Sequence, residues 1–130
     1  MSATIMVVDD SLMVRQQVSA ALADAGFTVI EATDGLDALH KLESTVPDLI
    51  VLDLNMPNLN GLELLKRIRE KPTLSNVPVV MLTTEGQPKL MQEAKGLGAK
   101  GWIIKPFKAE MLVRAVEKLT QVPGAPRAGS

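Results

Sequence analysis

Five residues able to handle a charged ligand stand at the ends of short apolar runs. Ile5-Met6-Val7-Val8 leads into Asp9 and Asp10, and Leu49-Ile50-Val51-Leu52 leads into Asp53. Val79-Val80-Met81-Leu82 leads into Thr83, and Trp102-Ile103-Ile104 into Lys105. If the runs are parallel strands, these side chains gather at one edge of one sheet, where open α/β sheets bind their ligands. Carboxylates ~5 Å apart repel by roughly 3 kcal/mol at an effective dielectric of about 20, so the cluster calls for cations. Lys105 supplies one. Hard oxygen donors with no His or Cys among them point to Mg²⁺ as a second. No glycine-rich loop follows Asp9 and Asp10, so the edge is not a cradle for a nucleotide's phosphates. It suits one phosphoryl group on one carboxylate.

The elements that must position these residues are legible as pattern. Unbroken apolar runs, rather than alternation, are what strands covered on both faces look like. Helix-period segments lie between them. Val14, Val18, Ala21, Leu22 and Ala25 follow the N-cap Ser11, with Gly26 as the stop. Leu36, Leu39 and Leu42 follow the cap Asp34. Leu62, Leu65 and Ile68 follow Asn60, and Glu63 completes a capping box. Leu90, Met91, Ala94 and Leu97 follow Pro88, a first-turn proline. Leu112, Ala115, Val116 and Leu119 form the last helix, and Phe27-Thr28-Val29-Ile30 adds a strand after the first. Strand and helix alternate five times, which gives an α/β fold with a parallel sheet. His40 falls off the apolar stripe of its helix and reads as a solvated residue. Met81, Met91 and Met111 read as core filler.

Composition narrows the function classes. With 14 Lys and Arg against 15 Asp and Glu, the net charge of −1 implies no bulk attraction to nucleic acid or anionic membranes. There is no cysteine, hence no disulfide or zinc–thiolate chemistry. No apolar stretch is long enough to span a bilayer, and Met1-Ser2-Ala3-Thr4 lacks a signal pattern. A soluble, cytoplasmic, monomeric protein is expected, with one domain over residues 1–122. The residues 123–130, with their Pro, Gly and Ser, have the composition of a flexible tail.

The motifs Val8-Asp9-Asp10-Ser11, Glu31-Ala32-Thr33-Asp34-Gly35 and Asp53-Leu54-Asn55-Met56-Pro57 stand in this order along the chain. Gly61-Leu62-Glu63-Leu64-Leu65, Leu82-Thr83-Thr84-Glu85 and Gly101-Trp102-Ile103-Ile104-Lys105-Pro106-Phe107 follow. Together the chain resembles the receiver domain of bacterial two-component response regulators, most closely its single-domain chemotaxis members, over residues 4 to about 120. The resemblance implies a doubly wound, flavodoxin-like (βα)5 fold whose five-stranded parallel sheet has the order 2-1-3-4-5.

It also implies roles. Asp53 is the phosphoacceptor. Asp10 binds Mg²⁺ directly and Asp9 through a water, with Asp53 and the backbone carbonyl of Asn55 completing the set. Lys105 contacts the phosphoryl oxygens, Thr83 donates its hydroxyl to them, and Trp102 holds the aromatic switch position. The Lys105–Pro106 bond is cis in this family. Asn55 and Glu85 line the path of the water that removes the phosphoryl group, a pairing that implies a short-lived phosphorylated state. Such a domain catalyses its own phosphorylation from a histidine kinase's phosphohistidine, and its own dephosphorylation. It signals to a protein target through the face of helix 4, strand 5 and helix 5, with chemotaxis or motility as the expected pathway. Gly86, Gly96 and Gly98 bracket helix 4 and suit a movable element.

The pattern departs from its chemotaxis members at Ser11, Leu54, Thr84 and Trp102. Within the family, a phosphate-shuttling intermediate of a phosphorelay is the alternative output. Two other classes fit less well. A phosphatase with an aspartyl nucleophile needs a second aspartate where Asn55 stands. A flavin module needs a Ser/Thr/Gly-rich loop where Asp9 and Asp10 stand, and the chain has only one Trp, two Phe and no Tyr.

Overall fold

The inner strands of the sheet are three of the unbroken apolar runs. In the computed structural model, which describes residues 3–56, 59–84 and 88–120, they are β1 (Thr4–Val8), β3 (Leu49–Asp53) and β4 (Val79–Thr83). The flanking strands are β2 (Thr28–Ala32) and β5 (Ala99–Ile104). All pairings are parallel, and the order is β2-β1-β3-β4-β5, as the sequence reading expects. β3 and β4 are buried at every residue, whereas β2 and β5 carry mostly exposed and half-buried residues. That is why the inner strands give the longest continuous apolar runs.

Five helices cover the sheet: α1 (Leu12–Asp24), α2 (Gly35–Leu42), α3 (Gly61–Glu70), α4 (Pro88–Gly96) and α5 (Ala109–Thr120). Side chains alternate across each strand, so the core divides in two. Met6, Val8, Ile50, Leu52 and Met81 face α2, α3 and α4, meeting Ala38, Leu65 and Ala94. Ile5, Val7, Val51, Val80 and Leu82 face α1 and α5, meeting Val18, Leu22, Leu112 and Val116. Helix starts follow the expected chemistry. Ser11 accepts from the Val14 amide, Asp34 from the Asp37 amide, and Asn60 and Glu63 close a capping box.

Several expectations are corrected. β2 runs from Thr28 to Ala32, one residue beyond Phe27 and through Glu31. The covered stripe of α2 is Gly35, Ala38 and Leu42, and Leu36 is 56% exposed. Gly35 takes the inner position because it packs directly on Leu59. Met111 and Ile104 are exposed as well, whereas Met81 is fully buried. Residues 57–58, 85–87 and 121–130 lie outside the described residues, and with them Pro57, Glu85, Gly86 and the expected tail.

Candidate functional site

The carboxyl ends of four strands, β1, β3, β4 and β5, supply the site. Asp9 follows β1 and Asp53 ends β3, and both are buried, at 0% and 3% exposure. Asp10 is exposed at the rim. One carboxylate oxygen from each of the three lies within 4.8 Å of the others, the only such acidic group among the described residues. Lys105, just past β5, places its Nζ 2.9 Å from Asp9 Oδ2 and 3.4 Å from Asp53 Oδ1. The Lys105 amide donates to the Thr83 carbonyl oxygen at 2.6 Å, which sets Lys105 beside the buried Thr83 at the end of β4. The Lys105–Pro106 peptide is cis, as the resemblance implies.

Asp53 is held from below by its own chain. The Asn55 amide donates to Asp53 Oδ1 at 3.3 Å, and the Gly61 amide donates to the Leu54 carbonyl at 3.0 Å. The first turn of α3 therefore packs directly under the peptide that follows Asp53. A Cβ on Gly61 would run into the Asp53 carbonyl and come within 2.8 Å of Leu54 Cα. Gly61 is required by this close approach.

Burial pushes the Asp53 carboxyl up from 3.8 to about 6, and the neighbouring Asp9 charge adds to the shift. Lys105 and the Asn55 amide oppose it. The group is thus a concentrated, poorly solvated carboxylate beside a second one, with a single ammonium between them. Clustered hard oxygens of this kind fit a small divalent ion such as Mg²⁺, which takes a few carboxylates and retains water.

The sequence-derived residues Asp9, Asp10, Asp53, Thr83 and Lys105 therefore converge. Asn55 is exposed next to Asp53, so its side chain borders the opening. Trp102 is half-buried on the α4 side of the sheet and lines a groove of about 820 Å³ with Pro88, Met91 and Gln92. Its indole Nε1 is buried and makes no hydrogen bond among the described residues. Glu85 lies outside the described residues.

One contributor has no counterpart in the motif reading. Arg15 on α1 is 8% exposed and donates from a guanidinium nitrogen to the Asp9 carbonyl at 2.7 Å. Its Nε lies 3.4 Å from Glu31 Oε1 on β2. The signal was present: Arg15, Val18 and Leu22 share one covered helix face, so a cation on that stripe needs a partner inside.

Comparison with known proteins agrees with this geometry. The family description of the response regulator receiver domain matches residues 5–117. The chain is 39% identical over 116 residues to the chemotaxis protein CheY of Pseudomonas aeruginosa, covering 88% of this chain and 94% of that one. It is 40% identical to chemotaxis protein CheY-3 of Vibrio cholerae, covering 88% and 89%. Among solved structures, chemotaxis protein CheY4 of Vibrio cholerae superposes with a TM-score of 0.88 at 41% identity, over 92% of this chain and 99% of that one. With this fold and these relatives, the chain belongs to the response regulator receiver domain family and is a two-component signalling protein related to chemotaxis regulators.

Proposed function

We propose that the chain is a phosphorylation-activated switch in chemotaxis or motility, with Asp53 as its phosphoacceptor. The observation that carries this reading is the buried Asp53 carboxylate, 3.4 Å from the Lys105 ammonium and within 4.8 Å of oxygens of Asp9 and Asp10. The donor is a histidine kinase. An Asp53 oxygen attacks the phosphorus in line, an O–P bond forms as the P–N bond of the phosphohistidine breaks, and the imidazole nitrogen leaves with the electron pair. Lys105 stays within reach of the transferred oxygens and lowers the charge that builds on them. Mg²⁺, held by Asp9, Asp10, Asp53 and the Asn55 carbonyl, supplies further neutralisation of those oxygens when bound.

The acyl phosphate replaces one negative charge by about two and adds acceptor oxygens. Thr83 answers with its hydroxyl, and Trp102 and α4 follow, which shifts the α4–β5–α5 face toward a target-binding population. Asn55 and Glu85 orient the water that later removes the phosphoryl group. The work is done by a cytoplasmic monomer that engages protein partners rather than nucleic acid or membrane.

Labelling with acetyl phosphate tests the assignment. Wild-type protein takes up an acid-labile phosphoryl group, and Asp53→Asn takes up none while keeping its fold. Undiminished label on Asp53→Asn overturns the reading.

A further inference from the structure

Asp10 makes no side-chain hydrogen bond or ion pair among the described residues, yet the proposed metal site needs its carboxylate in one place. Its neighbour Asp9 is held at every polar group. The Asp9 amide donates to the Ala32 carbonyl at 3.3 Å, Oδ1 accepts from the Ser11 amide at 2.8 Å, and Oδ2 accepts from Lys105 at 2.9 Å. The remaining group, the Asp9 carbonyl, accepts from Arg15 at 2.7 Å. That carbonyl belongs to the same rigid peptide plane as the Asp10 amide. Whatever fixes the carbonyl also fixes the Asp10 N–Cα bond, leaving only φ and the side-chain torsions to set the carboxylate.

We propose that Arg15 is a positioning residue for cation binding: by clamping the Asp9–Asp10 peptide plane it aims the Asp10 carboxylate into the site. The inference rests on the reading of Asp9, Asp10 and Asp53 as a metal site. Arg15 is well placed for the task. Its own amide donates to the Ser11 carbonyl at 3.0 Å in the first turn of α1, so the clamp and the loop it holds are joined by one helical turn. Glu31 pairs with the guanidinium from β2 and ties the same loop to the sheet. Removing a group that orients a metal ligand commonly weakens binding by about 10- to 100-fold.

Charge alone predicts the opposite effect, which makes the proposal decidable. Deleting the positive charge held on the Asp9 carbonyl favours binding of another cation at the neighbouring acidic cluster by Coulomb's law. Deleting a clamp weakens it. The measurement is Mn²⁺ binding by electron paramagnetic resonance, with thermal melting of the metal-free proteins in parallel. The proposal expects Arg15→Met to bind Mn²⁺ about tenfold more weakly than wild type, with Arg15→Lys, which keeps the charge and a donor, lying between them. Asp10→Ala is the control for the site itself.

If Asp10→Ala binds as wild type does, the metal reading fails. If Asp10→Ala is weakened while Arg15→Met binds equally well or more tightly, the metal reading stands and the positioning role is overturned. A purely structural role also counts against it, since that lowers the melting temperature and leaves the affinity of the folded protein unchanged. Should Arg15→Met fail to fold, Arg15→Gln is read with the same outcomes.

Discussion

Lys105 Nζ lies 3.4 Å from Asp53 Oδ1 but only 2.9 Å from Asp9 Oδ2. In the metal-free protein the ammonium thus leans toward the carboxylate that is not the proposed phosphoacceptor. Burial first, and then the Asp9 charge, raise the Asp53 pKa, and an ammonium placed this way offsets them only in part.

That shift has a direction in stability. Asp53 titrates near 3.8 when unfolded and at about 6 when folded, so the folded state holds the extra proton between those values. The stability this contributes is fully present below the unfolded pKa and is lost as pH rises through about 6. The ionised Asp53 therefore destabilises the metal-free protein at neutral pH, by about 3 kcal/mol at most. Asp53→Asn is expected to be more stable than wild type at neutral pH, with the difference shrinking on acidification toward about pH 4. Urea unfolding across that range, with chelator present, checks it; a constant difference refutes the assignment.

Gly61 and Gly96 make opposite predictions for the same substitution. A Cβ at Gly61 meets backbone of Asp53 and Leu54, which cannot yield, whereas one at Gly96 meets nothing within 4 Å. Gly61→Ala should destabilise by about 3 kcal/mol or more and impair labelling of Asp53. Gly96→Ala, at the end of α4, should be neutral or stabilising by up to about 1 kcal/mol. Denaturation midpoints of the two variants decide the matter.

Arg69 joins three segments. Its guanidinium donates to the carbonyl oxygens of Leu97 at 2.7 Å, Val77 at 2.7 Å, and Leu74, Ser75 and Gly98 at 3.2 Å each. It ties α3 to the loop before β4 and to the turn between α4 and β5. Arg69→Met should cost about 3 kcal/mol in urea unfolding, because the carbonyls lose charge-assisted bonds together. Arg69→Lys should recover only part, since an ammonium has three donors and no planar fork. Full recovery by lysine would mean that the charge matters and the geometry does not.

The acidic residues and Thr83 were legible because each follows an unbroken apolar run of an inner strand buried on both faces, and Lys105 because it follows the shorter run Trp102-Ile103-Ile104 of the edge strand β5. Arg69 was not, and Arg15 showed only as a cation on the covered stripe of its helix, because a charged side chain reads as solvent-facing until its partners are known. Both serve backbone carbonyls far along the chain or across a turn, and no residue type advertises a carbonyl. Leu36, Ile104 and Met111 failed in the other direction. Hydrophobicity records a preference for burial, while a helix or edge strand has only one covered side.

Trp102 offers the most direct view of switching. It is the only tryptophan, it lines the groove beside α4, and its buried indole N–H makes no hydrogen bond among the described residues. An unpaired buried donor costs about 1–3 kcal/mol, so a second arrangement that pairs it is energetically near. Mg²⁺ alone acts at the acidic cluster and should barely change the emission of Trp102. Beryllofluoride with Mg²⁺, which imitates the phosphoryl group on Asp53, should shift it as Thr83 and α4 rearrange. Asp53→Asn should abolish the shift, and Trp102→Phe should remove the signal altogether. Strong quenching by Mg²⁺ alone, or an unchanged spectrum in protein shown to bind beryllofluoride, would leave Trp102 as core and move the switch elsewhere on the α4–β5–α5 face.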